Sequence, residues 1–404
     1  MAFYDHKTWG MDRSFEKGLD QETITEDDER LIRDYIAEKK GSNKKLSASR
    51  VNKIVSILVN FRRFLKTPYR DAEIGEVFTA IDDLKNGDSI KGRAFAQNSL
   101  NSYLRITKPF LQWMIENGHS TLPEKKINKI QAPSVDCETT HPDQILTPDE
   151  IAQLIKACRH PRDRALVSVL YESGVRVGEL ARLRWRDAVF DDLGVKLYVD
   201  DQKTGKRRYS RLTMSREALA SWRNVSPQTS PDDPVFVNLQ NGDPLEYVTV
   251  LRLLERLQKA TGIPKRITPH LFRKSRITHM VRQNYQESVI KESMWGNVGT
   301  DMFRTYVRLA ESDIDDEFLA RAGVTQAKTK TENPLAPRPC SACHTVNAPT
   351  SNYCSKCGQP LTEEAKASLQ AVTRAVEADP LYRHLDAMVR AEVGRLAKVG
   401  ELLH

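Results

Sequence analysis

No run in this 404-residue sequence approaches the ~20 consecutive apolar residues needed to span a bilayer. The opening residues, MAFYDHKTWGMDRSFEKG, are too polar for a secretory signal. A cytoplasmic protein that does not enter membranes is therefore expected. Cysteine is scarce: six in the whole chain cannot make the disulfide framework of a small secreted domain. Four of the six fall between positions 340 and 357, and that clustering points to metal rather than oxidation. Acidic residues are missing where they would be most informative. From Lys39 to Arg70 there are ten Lys or Arg and no Asp or Glu, and the stretches Lys91–Ile115 and Arg256–Gln286 are equally free of acid. The chain as a whole carries 62 Lys and Arg against 54 Asp and Glu, a net +8, which favours a polyanionic partner.

Length and a 39% hydrophobic content suit two or three domains. Residues 1–20 show no period and are expected to be flexible. In the first acid-free stretch Val51, Ile54, Val55, Leu58 and Val59 recur at helical spacing, which leaves most of the cations on other faces. Residues 21–130 are accordingly read as a helical DNA-clamp domain, with Lys44, Lys45, Arg50, Lys53, Arg62, Arg63, Arg93 and Arg105 toward DNA and Asn98 and Asn101 offering hydrogen bonds beside them. Residues 131–146 read as a linker. At Thr147-Pro148-Asp149-Glu150 a hydroxyl cap, a proline and two acids start a helix and open a domain over 147–324. This domain is mainly helical, with one β-hairpin in GVKLYVDDQKTGKRRYSRL. A second linker, 325–339, leads to a cysteine module at 340–360 and a helical tail at 361–404. In the tail Leu381, Leu385, Met388, Val389 and Leu396 make one apolar stripe, suited to packing on its own domain or on a second copy.

Four elements of the middle domain could surround a phosphate. Arg176 lies in SGVRVGEL at a turn between helices, with Glu179 three residues on. Lys203 stands at the hairpin tip. His270 and Arg273 follow Thr268-Pro269 at a spacing that puts both on one helix face, and Tyr306 lies in MFRTYVRL. Taken singly, each is an ordinary surface or packing residue. In this order and spacing the set resembles the tyrosine recombinase (phage integrase) family over about residues 145–324, and more weakly over the helical N-terminal domain. The resemblance implies a catalytic set of Arg176, Lys203, His270, Arg273 and the nucleophile Tyr306. At the place where the family has His or Trp, nine residues before the tyrosine, stands Asn297, with Trp295 two residues earlier as an alternative donor. It also implies action as a tetramer on two double-stranded DNA sites through a Holliday junction.

The residue chemistry agrees. Two arginine forks can grip a phosphate and meet the charge that builds on it. A lysine can protonate the leaving 5′ oxygen, a histidine can serve as base or donor, and neighbouring cations favour the phenolate. No metal or nucleotide is needed for these steps, and the intermediate is a 3′-phosphotyrosyl bond. Glu179 is expected to orient Arg176. Two other readings stand beside the recombinase: a DNA-binding regulator of the same fold without strand exchange, and a protein-interaction role centred on the C-terminal module.

In that module Cys340-x2-Cys343-x10-Cys354-x2-Cys357 is the paired-knuckle pattern that brings four thiolates to one structural zinc ion. Some twenty residues cannot bury a core, so metal would hold the fold.

Overall fold

The computed structural model describes residues 9–42, 46–89, 92–136, 141–200, 205, 207–307, 309, 311–324 and 334–401. Lys44, Lys45 and Lys203 lie outside the described residues. The chain divides into two compact bodies, Ala2–Thr139 and Thr140–His404. Among the described residues no helix is long and apolar enough to cross a membrane.

The first body is helical: α1 (Trp9–Asp20), α2 (Glu26–Ser42), α3 (Ala48–Phe61), α4 (Ile74–Asn86), α5 (Gln97–Glu116) and α6 (Glu124–Asn128). The five residues that set the helical period of α3 are all buried, and they form one core with Leu31, Ile32, Tyr35, Phe110 and Trp113. Residues 9–20 are not the flexible lead expected from sequence. They form α1, which packs on α3, buries Phe15 and seats Gly18 against Val59 and Ile24. Met11, Phe15 and Leu19, each four residues from the next, line the face of α1 that meets the core.

Arg62 also departs from expectation. Its guanidinium is buried, with Nε donating to Asp28 Oδ2 at 2.8 Å and Nη1 donating to the Leu65 carbonyl. The other Asp28 oxygen accepts from the Tyr69 backbone N–H at 2.9 Å. Arg62 thus holds the turn after α3 to the start of α2 and does not face DNA. Arg50, Lys53, Arg93 and Arg105 are exposed and Arg63 is half-buried beside Phe64. The amides of Asn98 and Asn101 are likewise taken up internally: Asn98 exchanges two hydrogen bonds with the Asp136 backbone, and Asn101 donates to the Pro133 carbonyl. With Gln97 donating to Ser134, they strap residues 133–136, expected as linker, along α5.

In the second body α7 (Pro148–Ala157) starts as its sequence predicts, in a capping box between Thr147 and Glu150. Anchoring begins slightly earlier, because Ile145 and Leu146 are buried and the Leu146 N–H donates to Ser275 Oγ at 3.0 Å. Then come α8 (Pro161–Ser173), α9 (Val177–Leu180) and an antiparallel sheet of β1 (Ala188–Asp191), β2 (Gly194–Asp200) and β3 (Arg207–Leu212), in which Tyr198 opposes Tyr209 and Asp200 opposes Arg207. The expected hairpin is β2–β3, and β1 adds a third strand. Helices α10 (Arg216–Val225), α11 (Tyr247–Thr261), α12 (Pro269–Arg282), α13 (Glu287–Trp295), α14 (Phe303–Tyr306) and α15 (Glu311–Arg321) follow, with α12 packed on α8. The fold is mainly α with small antiparallel sheets.

Beyond it, β4 (Arg338–Pro339) and β5 (Val346–Asn347) carry the cysteine module, and α16 (Glu363–Ala378) and α17 (Pro380–Glu401) form the tail. The module sits on α10. Glu217 accepts from the Ala348 N–H at 3.2 Å and from the Ser351 hydroxyl, above buried Leu335. The apolar stripe of α17 is exposed.

Candidate active site

The site is assembled around three helix ends. Helix α8 stops at Gly174, whose φ of 58° is left-handed and whose Cβ, if present, would lie 2.8 Å from Met294 Sδ. Only glycine meets both demands. The turn delivers Arg176 to the N-cap of α9. There its N–H donates to Glu179 Oε2 at 2.7 Å and its Nη1 to Glu179 Oε1 at 2.9 Å, the orienting role expected of Glu179. Helix α12 starts at Thr268, which caps the Leu271 N–H, with Pro269 in the first turn. His270 and Arg273 follow on that first stretch. Helix α13 ends at Met294-Trp295, and α14 then brings in Tyr306.

Arg273 is 1% exposed. Its Nη1 donates to the Gly174 carbonyl at 2.6 Å and its Nη2 to the Met294 carbonyl at 2.8 Å. Its guanidinium carbon lies 5.0 Å from the Trp295 ring centre and 5.3 Å from that of Tyr306. Tyr306 is buried, edge-on to Trp295 at 5.4 Å and to His270 at 5.2 Å. One chain therefore brings Arg273, His270 and Trp295 against the ring of Tyr306.

The electrostatics follow from burial among cations. Burial, reinforced by Arg176, lowers the Arg273 pKa to about 10 against the opposing pull of Tyr306 and Glu179. Burial raises the Glu179 carboxyl, but Arg208, the Arg176 N–H and the Arg176 and Arg273 charges outweigh it and hold the group below its ordinary value. His270 is packed on one face and open on the other. Burial, then the charges of Lys274, Arg273 and Arg176, push its pKa from 6.5 to about 4, so the imidazole is neutral at pH 7.

Buried His279, which shares a 2.9 Å hydrogen bond with the Tyr171 hydroxyl, is likewise lowered to about 4 by burial, Arg282 and Arg276. Both folded pKa values lie below the unfolded one. Between about pH 6.5 and 4 the unfolded chain binds protons that the folded chain does not, so stability falls as pH falls through that window. Urea unfolding at pH 7 and pH 5 should show this loss. His279→Asn should reduce the slope, and an unchanged slope in that variant would contradict it.

Asn297 is exposed, and its carboxamide oxygen accepts from the Gly299 N–H at 3.1 Å. The structure does not place it against Tyr306. Trp295 occupies that position, and its indole N–H finds no acceptor among the described residues. Sequence reasoning missed Arg208. Its Nη2 donates to Glu179 Oε2 at 2.8 Å and its Nε to the Met294 carbonyl at 2.9 Å.

In the cysteine module the four Sγ atoms lie within 4.8 Å of one another. Two of the separations, Cys340–Cys357 and Cys343–Cys354, are 3.6 Å. Four Zn–S bonds of ~2.3 Å make a tetrahedron with edges of ~3.8 Å, so the thiols fit that ion. Each knuckle repeats one turn. The His344 N–H donates to the Cys340 carbonyl and the Gly358 N–H to that of Cys354, with φ of 58° and 73° at these two positions.

A buried arginine thus lies beside a tyrosine that a short helix holds in place, with a second arginine on a carboxylate, in a mainly helical domain. Residues 144–313 match the model of the phage integrase family. The chain is similar to transposase A of transposon Tn554 from Staphylococcus aureus, 26% identical over 66% of this chain and 68% of that one. It is 29% identical to a tyrosine recombinase XerC of Xanthomonas axonopodis over 48% of this chain and 61% of the relative. A lambda integrase dimer bound to a core site shares the fold, with a TM-score of 0.54 at 19% identity over 69% of this chain and 76% of that one. The domain of residues 144–313 belongs to the tyrosine recombinase, or phage integrase, family.

Proposed function

We propose that the protein is a site-specific DNA recombinase in which Tyr306 acts within its own chain's site. The Tyr306 oxygen attacks the scissile phosphorus, forming a 3′-phosphotyrosyl bond as the bond to the 5′ oxygen breaks, and the leaving oxygen takes up a proton. His270, neutral at pH 7, receives the phenol proton. Arg176 and Arg273 meet the charge on the nonbridging oxygens, and the Trp295 indole N–H, rather than Asn297, supplies the further donor. Lys203 is the acid for the 5′ oxygen. A second strand's 5′ hydroxyl then reverses the step, so exchange proceeds through a Holliday junction in a tetramer, with the exposed cations Arg50, Lys53, Arg93 and Arg105 on phosphates.

The observation that carries this reading is the contact of fully buried Arg273 with the ring of Tyr306. The test is a nicked suicide duplex: a gel-stable covalent adduct supports the enzyme, whereas tight, salt-sensitive binding without adduct identifies a regulator instead.

Cys340, Cys343, Cys354 and Cys357 would hold one zinc ion, which supplies no chemistry to the reaction and closes a ribbon otherwise lacking a core. One zinc per chain is expected by metal analysis. A strong chelator should abolish hydrogen-exchange protection at residues 338–358 while protection of α8 and α12 persists. Unchanged protection in the ribbon after metal removal would contradict the assignment.

A further inference from the structure

Arg208 lies on β3, whose residues alternate outward and inward, and it points in with Ser210 and Leu212. Its side chain is 1% exposed, and a guanidinium so buried requires acceptors. It has two, and each is shared with one of the phosphate-facing arginines. The Glu179 carboxylate that accepts from Arg208 Nη2 also accepts from the backbone and side chain of Arg176. The Met294 carbonyl that accepts from Arg208 Nε also accepts from Arg273 Nη2. That carbonyl belongs to the last turn of α13, where the helix ends on Gly296 in the left-handed region, φ 61°. Carbonyls at a helix C-terminus lack intrahelical donors and carry partial negative charge, a natural seat for cations. Gly296 itself lies against Arg208, since a Cβ there would stand 3.4 Å from the arginine's own Cβ.

We propose that Arg208 is a positioning residue that holds Arg176 and Arg273 in register on the scissile phosphate by bridging Glu179 to the Met294 carbonyl. The inference rests on the recombinase reading above. The sequence Arg176, Glu179, Arg208, Met294, Arg273 is one continuous run of hydrogen bonds joining the α8–α9 turn, the hairpin sheet, the end of α13 and α12. Three cations face one carboxylate there, and the positive excess is what a phosphate would neutralise. Without Arg208, Glu179 would keep Arg176, but the bridge from that carboxylate to the Met294 carbonyl would be lost, leaving the bond of Arg273 to the Gly174 carbonyl to hold it to the turn that carries Arg176.

The test is single-turnover cleavage of a nicked duplex by the full chain, with equilibrium binding and a thermal melt measured on each variant. Arg208→Met should cleave ~100-fold more slowly, the loss typical of a small misplacement of catalytic groups, while binding the duplex with nearly wild-type affinity. Glu179→Gln should slow cleavage too. The double variant should be no slower than the slower single one, because Arg208 acts through Glu179. Since Arg208→Met leaves a buried carboxylate short of a partner, Arg208→Lys provides the control for folding. It keeps the charge but can reach only one of the two acceptors, so cleavage should fall between wild type and Arg208→Met.

Wild-type cleavage by a folded Arg208→Lys or Arg208→Met overturns the proposal. So do losses that multiply in the double variant, which would show two independent roles. The wild type and Tyr306→Phe run alongside: no adduct with the wild type removes the recombinase reading itself, whereas a wild-type adduct with insensitive Arg208 variants removes only this inference.

Discussion

Tyr306→Phe should form no covalent adduct with a nicked duplex while binding it as tightly as the wild type. The substitution deletes one oxygen. The ring stays edge-on to Trp295 and His270 and under the Arg273 guanidinium, contacts made by carbon atoms at centroid distances of 5.2 to 5.4 Å. Packing of α14 against α12 and α13 is therefore retained, and the melting temperature should barely move. On the proposed mechanism the rate, in contrast, loses its nucleophile. Removing the attacking group of a covalent catalyst costs on the order of 10⁶-fold, so adduct should fall below detection on a gel. In the proposed function binding rests on other parts, the exposed cations of the first body and the arginines of the second, and its salt dependence should be unchanged. An adduct that survives in Tyr306→Phe would place the nucleophile elsewhere and dissolve the assignment.

What the sequence made legible is what local chemistry decides. The caps at Thr147 and Thr268, the stop at Gly174, the β2–β3 hairpin and the apolar face of α3 all depend on neighbours within one or two turns, and each is seen where its signal lies. The paired cysteines are of the same kind, because a knuckle needs only its own few residues to aim two thiols. Arg176, the His270–Arg273 pair and Tyr306 are far apart in sequence, and only their combined order pointed to one site.

The misses are residues whose fate is set by a distant partner. Arg62 looks like any cation of an acid-free run until Asp28, thirty-four positions earlier, is found beside it. Asn98 and Asn101 resemble DNA-reading amides, yet they hold the backbone of residues 133–136. Arg208 left one usable signal. In strand β3 it shares parity with Ser210 and Leu212 and not with Arg207 and Tyr209, so alternation alone turns it inward. Asn297 illustrates the reverse error, because counting back from the tyrosine selects a position, whereas the turn after α13 decides which side chain faces the ring. That side chain is Trp295.

Arg273→Met should lower cleavage by roughly 10³-fold, the scale on which loss of a preorganised donor at a developing anion is felt, and yet it should not lower stability. Arg273 is a cation at 1% exposure whose direct acceptors are two backbone carbonyls, those of Gly174 and Met294, with no carboxylate in direct contact among the described residues. Burial and the charge of Arg176 already depress its pKa to about 10, which shows the folded state working against that charge. Removing the cation leaves the Gly174 carbonyl without its donor, at about 1–3 kcal/mol, while Met294 keeps Arg208. Against this stands relief of an effective desolvation penalty of several kcal/mol for a buried ion. The relief is the larger quantity, so the melting temperature of Arg273→Met should equal or exceed that of the wild type. Arg273→Lys should separate charge from shape: a point charge on a flexible stem cannot span two carbonyls and a phosphate as a planar fork does, so it should cleave little better than Met while showing none of that variant's gain in stability. Calorimetry and single-turnover cleavage on the same preparations decide the matter. A destabilised Arg273→Met that still cleaves would mean that this arginine serves the fold, whereas a stabilised, inactive one means that the fold bears its burial for the sake of the phosphate.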